Sequence, residues 1–314
     1  MFVVGGESLI DLVPAAPGPA AERQPVAGGS PFNCAIALAK LGNQTGFLCP
    51  ISTDSYGDML LQPLAEAGVN VLVKERVDAP TTKAIVTFNE KMQASYQFER
   101  GAERAFTQDS LLEALPGDVE VLQLGGFVPI ETADAAAWQA VARKAIAGGA
   151  VLTMDINVRP LLVDDEASYR LQLSQLLDLA HVIKLSDEDH VWLEPKLSIE
   201  AHARLLLART NCQLVIVTLG EEGSLAFTSE AEAKSAIYSP PVFVDTVGAG
   251  DSLMAGTLTW LGEHGAFHAG GFAGLDTAGL EEMLRFGAVV AGINCGRKGC
   301  QPPTRAEVDA VLGK

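Results

Sequence analysis

Basic side chains are scarce in this sequence: 22 Lys and Arg stand against 39 Asp and Glu in 314 residues, a formal net charge of −17. Neutralisation by Lys and Arg supplies most non-specific affinity for a phosphate backbone, so nucleic acid and anionic membrane surfaces are excluded as partners. Only 6% of residues are aromatic and 19% charged, whereas 48% are hydrophobic. That is enough core material for one large α/β domain and far too much for a disordered chain. Cysteines are few, at positions 34, 49, 212, 295 and 300. An odd set without a Cys-x-x-Cys pair argues against a disulfide frame and fits the reduced thiols of a cytoplasmic enzyme. The longest uncharged run, 24–39, falls short of a membrane span and is interrupted by Pro25, Gly28, Gly29 and Pro31. Glu7 and Asp11 occupy the place of a secretory apolar region, and the first basic residue is Arg23, so export is not expected.

Several chemical signatures are missing as well. There is no G-x-x-x-x-G-K-[ST], no strand leading into G-x-G-x-x-G, and no G-x-S-x-G. A P-loop kinase, a Rossmann dehydrogenase and an α/β-hydrolase are therefore disfavoured. His264 and His268 have helical zinc spacing, but Gly265, Gly270 and Gly271 place them in a loop, which argues against a metal centre.

What is present is an alternation of short apolar runs with longer segments of helical period. Strands are expected at 119–126, 150–157, 181–186 and 213–220, each nearly continuous in apolar residues, as in a parallel sheet covered on both faces. Helices are expected over 132–147 and 200–209. A further helix is marked by Ser30 as its cap, Pro31 in its first turn and Gly42 as its stop. Between 69 and 98 the texture changes to short β segments, VNVLV, TKAIVTF and QASYQF, the last two joined by a turn at 89–92. This reads as a small antiparallel flap beside the main sheet, with 14–25 as a loop or an edge of that flap.

The sharpest local signal is DTVGAGDSLMAGTL at 245–258. Gly248, Ala249 and Gly250 form a turn running into a helix whose first amides lack acceptors and so suit an oxyanion or phosphate. Asp251 at that helix start is expected to be held ionised and able to take a hydroxyl proton as a phosphoryl group transfers. Taken alone, the same residues are equally compatible with an ordinary turn and an N-cap.

This segment resembles the D-T-x-G-A-G-D signature of the ribokinase-like (pfkB) carbohydrate kinases. AGGSPFNCAIALAKLG at 27–42 is similar to the family's other signature, and the two occur in the family's order. The resemblance runs over nearly the whole chain and implies a single ribokinase-like domain over 1–314. That fold is a three-layer α/β sandwich with a mostly parallel sheet and a β-strand lid, here formed by segments at about 12–26 and 69–104. By the same resemblance GGESLIDLVP is the first strand, with Asp11 binding sugar hydroxyls. Gly28 and Gly29 are close-approach and hinge residues, Asn33 faces the sugar, and Phe98 and Arg100 reach it from the flap. MDINVRP corresponds to D-x-N-x-R, which sends Asn157 and Arg159 toward sugar and phosphates. Gly248, Ala249, Gly250 and Asp251 form the anion hole and base. The nucleotide half is implied by VTLGEEGS, with Thr218, Gly220 and Gly223 along the ATP phosphates, by Lys184 and Ser186 at a strand end, and by Asn294 beside adenine.

The family's N-x-x-E reads Ser186-Asp187-Glu188-Asp189 here, leaving Glu188 and Asp189 as candidates to order Mg²⁺. The resemblance also implies a K⁺ site made by the backbone of Asp245, Val247, Asn294, Arg297 and Gly299, next to Gly299-Cys300, where the family has Gly-Ala. The activity implied is ATP-dependent phosphorylation of a sugar. Fructose is favoured because 6–14, the GGSPFN helix and the S-D-E strand end are most like those of fructokinases, with 2-keto-3-deoxygluconate and ribose as alternatives. A sugar- or nucleotide-binding regulator without turnover is the reading from a different class. Exposed flap edges make a homodimer through the lid a further expectation.

Overall fold

The computed structural model describes residues 1–15, 22–88, 94–268 and 270–313. In chain order its strands are β1 (Phe2–Gly5), β2 (Leu9–Pro14), β3 (Arg23–Gly28), β4 (Thr45–Leu48), β5 (Asn70–Val71), β6 (Lys83–Phe88), β7 (Ala94–Glu99), β8 (Val121–Gly125), β9 (Val151–Asp155), β10 (Val182–Ser186), β11 (Leu214–Thr218), β12 (Ser224–Phe227) and β13 (Glu232–Ser235). A nine-stranded sheet runs β13-β12-β11-β10-β9-β8-β1-β4-β5. From β5 to β11 the pairing is parallel, and β12 and β13 are added antiparallel at one edge.

The continuous apolar runs are explained by helices on both faces. Alternate residues of one strand enter different cores: Val4, Leu214 and Ile216 pack with helices Ser30–Lys40, Ala249–Glu263 and Thr277–Cys295. Val3, Val215 and Val217 pack with Thr132–Ala147, Glu166–Leu177 and Ile199–Leu207. A strand with water on one side could not keep both sets apolar. The result is the expected ribokinase-like α/β arrangement, and the four central strands fall inside the ranges expected for them.

A second, four-stranded sheet has the order β3-β2-β6-β7. Its β2–β3 and β6–β7 pairs are antiparallel, but β2 and β6 run parallel. The structure redraws two of its expected limits. Asn70 and Val71 of VNVLV pair with Gly46 and Phe47 at the edge of the large sheet, so the hairpin of the small sheet starts only at Lys83. The stretch read as one first strand is divided, with Phe2–Gly5 in the large sheet and Leu9–Pro14, including Asp11, in the small one. Gly6, at φ 139, lies between them, a conformation L side chains rarely adopt. The turn expected at 89–92 and residues 16–21 of the segment at 14–25 lie outside the described residues.

Ser30 is the first residue of its helix and not the cap. Gly29 holds the cap position at φ 111 without a side-chain bond, which leaves the Ser30 hydroxyl for another partner. His264 closes the helix Ala249–Glu263 by stacking on Trp260, with ring centroids 3.8 Å apart. Among the described residues no group of three potential metal ligands occurs, and no helix is long and apolar enough to cross a membrane.

Candidate active site

The helix Ala249–Glu263 starts immediately after Gly248, whose φ of 73 turns the chain into it, and Asp251 lies in its first turn. The first amides of a helix lack acceptors in a preceding turn; here the Ala249 N–H donates to Thr246 O at 3.1 Å, and Gly250 and Asp251 follow it. Asp251 is bound on both carboxylate oxygens by the other signature helix. Ser30 Oγ donates to Oδ1 at 2.6 Å and Asn33 Nδ2 donates to Oδ2 at 2.8 Å. Burial nevertheless raises its pKa above the ordinary carboxylate value, against the lowering effect of Ser30, Asn33, Lys184 and Arg159. Burial thus works against the ionised form expected of this carboxylate at the helix start. A carboxylate of raised pKa has the greater proton affinity, which favours a base.

The small sheet brings the expected sugar-facing residues together by register. Asp11 is opposite Val26 on one side and Ala84 on the other, and Ala84 is opposite Phe98. Residues directly opposite one another share a face, so Asp11 and Phe98 stand on the same face although a strand separates theirs. Gly28 lies beside this row, where a Cβ would come within 2.7 Å of Asp11 Oδ2. Burial pushes Asp11 up to about 6, and Arg159 opposes the shift. Phe98 meets Phe127 edge-on at 5.5 Å, and the Arg100 guanidinium sits 5.2 Å from the same ring centroid. Arg100 is also engaged by acidic groups, its Nε lying 2.8 Å from Glu103, with Glu131 and Asp134 at 3.7 and 3.8 Å. In this conformation it anchors the base of the small sheet.

At the ends of β9 and β10 the D-x-N-x-R run meets the residues expected at the nucleotide. Asn157 takes φ 43, the only positive φ outside glycine among the described residues, and its side-chain oxygen accepts from Arg159. Lys184 Nζ donates to both oxygens of Asp155 at 2.9 and 2.8 Å, with both side chains buried. Burial alone would lower the Lys184 pKa, but Asp155 outweighs it and holds the ammonium above its ordinary value. The cation lies under the turn at 248–250, where a Cβ on Gly250 would be 3.4 Å from Nζ. Asp189 is committed to the chain: Oδ1 accepts from Val158 N–H at 2.7 Å, and Oδ2 accepts from Ser186 N–H and Oγ, both at 2.8 Å. Glu188 is exposed beside it.

Thr218 ends β11, and the turn that follows places Gly220 and Gly223 at φ 55 and 94 before β12. Asn294 is fully buried, and its carboxamide is occupied within the chain, donating to Val247 O and accepting from Gln301 N–H, both at 2.7 Å. Asp245 accepts from Gly299 N–H at 2.8 Å. These two ties bring the loop at 245–247 against the loop at 294–301. Arg297 is turned the other way, to Gln301 O and Glu307.

Sequence reasoning missed two participants. Ser30 was read as a cap, and its contact with Asp251 spans 221 residues. Glu7 served only as a charge against a leader peptide, yet it is buried at 3% exposure. A carboxylate directly after an apolar strand, with no basic neighbour in the sequence, was the available signal.

Together the two facing signature helices, the D-x-N-x-R strand end and the covering small sheet define a ribokinase-like sugar kinase. The chain belongs to the pfkB family carbohydrate kinases, whose family model matches residues 1–307. It is 30% identical over 321 residues to probable fructokinase-4 of Arabidopsis thaliana, covering 99% of this chain and 96% of that one. It is 33% identical over 265 residues to a fructokinase of Rhizobium leguminosarum bv. trifolii, covering 83% and 79%. The crystal structure of a fructokinase with bound ATP from Xylella fastidiosa superposes with a TM-score of 0.88 at 26% identity, over 99% of this chain and 98% of that one. A putative ribokinase II from E. coli shares the fold, with a TM-score of 0.85 at 19% identity over 99% and 98%.

Proposed function

We propose that the protein transfers the terminal phosphoryl group of ATP to fructose, giving fructose 6-phosphate. The observation that carries this reading is the position of Asp251, a carboxylate of raised pKa in the first turn of a helix whose start suits an anion. The sugar lies under the small sheet, where the Asp11 carboxylate accepts hydrogen bonds from two hydroxyls and Phe98 covers a ring face. The acceptor hydroxyl displaces Ser30 or Asn33 from Asp251, which then takes its proton as the oxygen attacks the phosphorus. The amides around Gly250, with Lys184 beneath them, stabilise the charge on the transferring group. Arg159, Thr218, Gly220 and Gly223 surround the phosphates, and Asn294 acts at the nucleotide through the loop it holds.

Asp189 is buried with both oxygens already accepting hydrogen bonds from Val158 and Ser186, and Glu188 is a single exposed carboxylate. That donor set fits a cation that arrives with the nucleotide and does not fit a resident metal centre. Bound with the nucleotide, magnesium would supply charge neutralisation. Backbone oxygens of Asp245, Val247, Asn294, Arg297 and Gly299 are proposed to hold K⁺, a reading supported by the ties between Asp245 and Gly299 and between Asn294 and Val247. A cytoplasmic location belongs to the same proposal, supported by five cysteines that form no disulfide. Pairing of two copies through the exposed strand β3 is part of the same proposal, and light scattering tests it.

The deciding experiment is ADP release over fructose, 2-keto-3-deoxygluconate, ribose, tagatose and adenosine, with and without K⁺. Fructose is expected to give the highest kcat/KM. A higher value for another sugar would replace the substrate, and clear sugar binding with no turnover of any would favour a silent regulator.

A further inference from the structure

Glu7 is a buried carboxylate for which the reaction just described has no use. It lies where the chain leaves β1 of the large sheet for β2 of the small one. Oε1 accepts from the Ser30 N–H at 3.2 Å, and Oε2 accepts from the Phe127 N–H at 3.0 Å. Both neighbours are shaped for it. Gly126, at φ 62, lies against the carboxylate so closely that any Cβ there would overlap both oxygens, and a Cβ on Gly29 would meet the Glu7 carbonyl. Among the described residues no basic side chain is bonded to Glu7. Its charge faces the start of the helix Ser30–Lys40 and the more distant Arg159, an arrangement that burial makes costly and that a neutral side chain would avoid.

Each of its two partners leads to a different part of the site. Ser30 carries the hydroxyl that donates to Asp251. Phe127 carries the ring against which Phe98 and Arg100 of the small sheet pack. Glu7 and Phe127 also line one small cavity together with Arg100, Glu103 and Asp134.

We infer that Glu7 is a positioning residue that couples the sugar-covering sheet to the base, its two oxygens fixing Ser30 and thereby Asp251, and Phe127 and thereby Phe98 and Arg100. Only a carboxylate can accept at both ends. Glutamine keeps the shape but turns an NH₂ toward one of the two N–H donors, and aspartate is a methylene too short to reach both. The inference rests on the proposed sugar kinase reaction, and its test includes a readout that needs no turnover.

The test compares wild type, Glu7→Gln, Ser30→Ala and the double variant. Glu7→Gln is expected to lower kcat roughly 10- to 100-fold and to raise the fructose KM several-fold, with the ATP KM within about twofold of wild type. Ser30→Ala should lower kcat alone. Because Glu7 reaches Asp251 through Ser30, the double variant should lose no more than about twofold beyond Glu7→Gln in kcat. The NMR titration of the Asp251 carboxylate in sugar-free protein should move in both single variants. If Glu7→Gln does not fold, Glu7→Asp supplies the same comparison, with one amide lost. Wild-type kcat and fructose KM in a Glu7 variant that is merely less stable, multiplicative losses in the double variant, or an unmoved Asp251 titration would each overturn the inference. A wild-type protein inert toward every sugar would instead count against the proposed reaction, and the titration would still decide the role of Glu7.

Discussion

Ser30 Oγ donates to Asp251 Oδ1 at 2.6 Å, joining the first turns of two helices 221 residues apart in the chain. With Asn33 on the other oxygen, Asp251 is held by two donors from the opposite signature. In the proposed reaction an acceptor hydroxyl has only to replace one of them, which costs the site little reorganisation.

Removing the proton acceptor should therefore isolate the chemical step. Asp251→Asn keeps an oxygen for Ser30 and is expected to lower kcat by roughly 10² to 10⁴ while sparing fructose binding. Steady-state kinetics with calorimetric fructose binding measures both, and turnover near the wild-type rate would exclude Asp251 as the base.

Asp11 and Gly28 should act together on the sugar. Asp11→Asn is expected to raise the fructose KM roughly 10- to 100-fold, the range for losing hydrogen bonds to a charged acceptor, with the ATP KM unchanged. Gly28→Ala puts a Cβ within 2.7 Å of Asp11 Oδ2 and should shift the same constant by displacing that carboxylate. An effect on the ATP KM alone would place Asp11 at the wrong substrate.

The Lys184–Asp155 pair offers a stability test. Both side chains are buried, so Lys184→Met strands a carboxylate in the core and should cost about 3–5 kcal/mol. Adding Asp155→Asn should recover a large part of that loss. Urea denaturation of the two proteins reads the difference, and equal stabilities would mean that solvent reaches the pair.

A fourth expectation concerns pH. Burial raises Glu7 from 4.5 to about 7, so the folded state favours its protonated form more than the unfolded state does. Its stabilising contribution is complete below 4.5 and lost as pH rises through about 7, a difference of about 3 kcal/mol. The stability of wild type relative to Glu7→Gln should therefore fall between pH 4.5 and 8. Parallel urea-stability curves for the two proteins across that interval would show that Glu7 does not titrate there.

Much of the architecture was legible because its signals are local. The nearly continuous apolar runs at 181–186 and 213–220 read as strands covered on both faces. The Gly-Ala-Gly turn before Asp251 carried its own geometry. The expectation failed where a local signal had more than one non-local outcome. VNVLV is a β segment in either sheet, and only its pairing with Gly46 and Phe47 puts it in the large one. Ser30 is a good cap by residue type, but Gly29 at φ 111 takes that position and frees the hydroxyl for a partner in another helix.

The sequence by itself determined the α/β class and the two glycine-rich helix starts, since hydrophobic period and turn chemistry act over a few residues, and its resemblance to the ribokinase-like kinases singled out Asp251. The tertiary structure decided which groups meet. It set Asp11 and Phe98 on one face by register, joined Ser30 and Asn33 to Asp251, spent Asp189 on Val158 and Ser186, and enclosed Glu7 between two amides. Hydrogen-bond partners and desolvation depend on segments brought together from across the chain, and no spacing along a sequence specifies them.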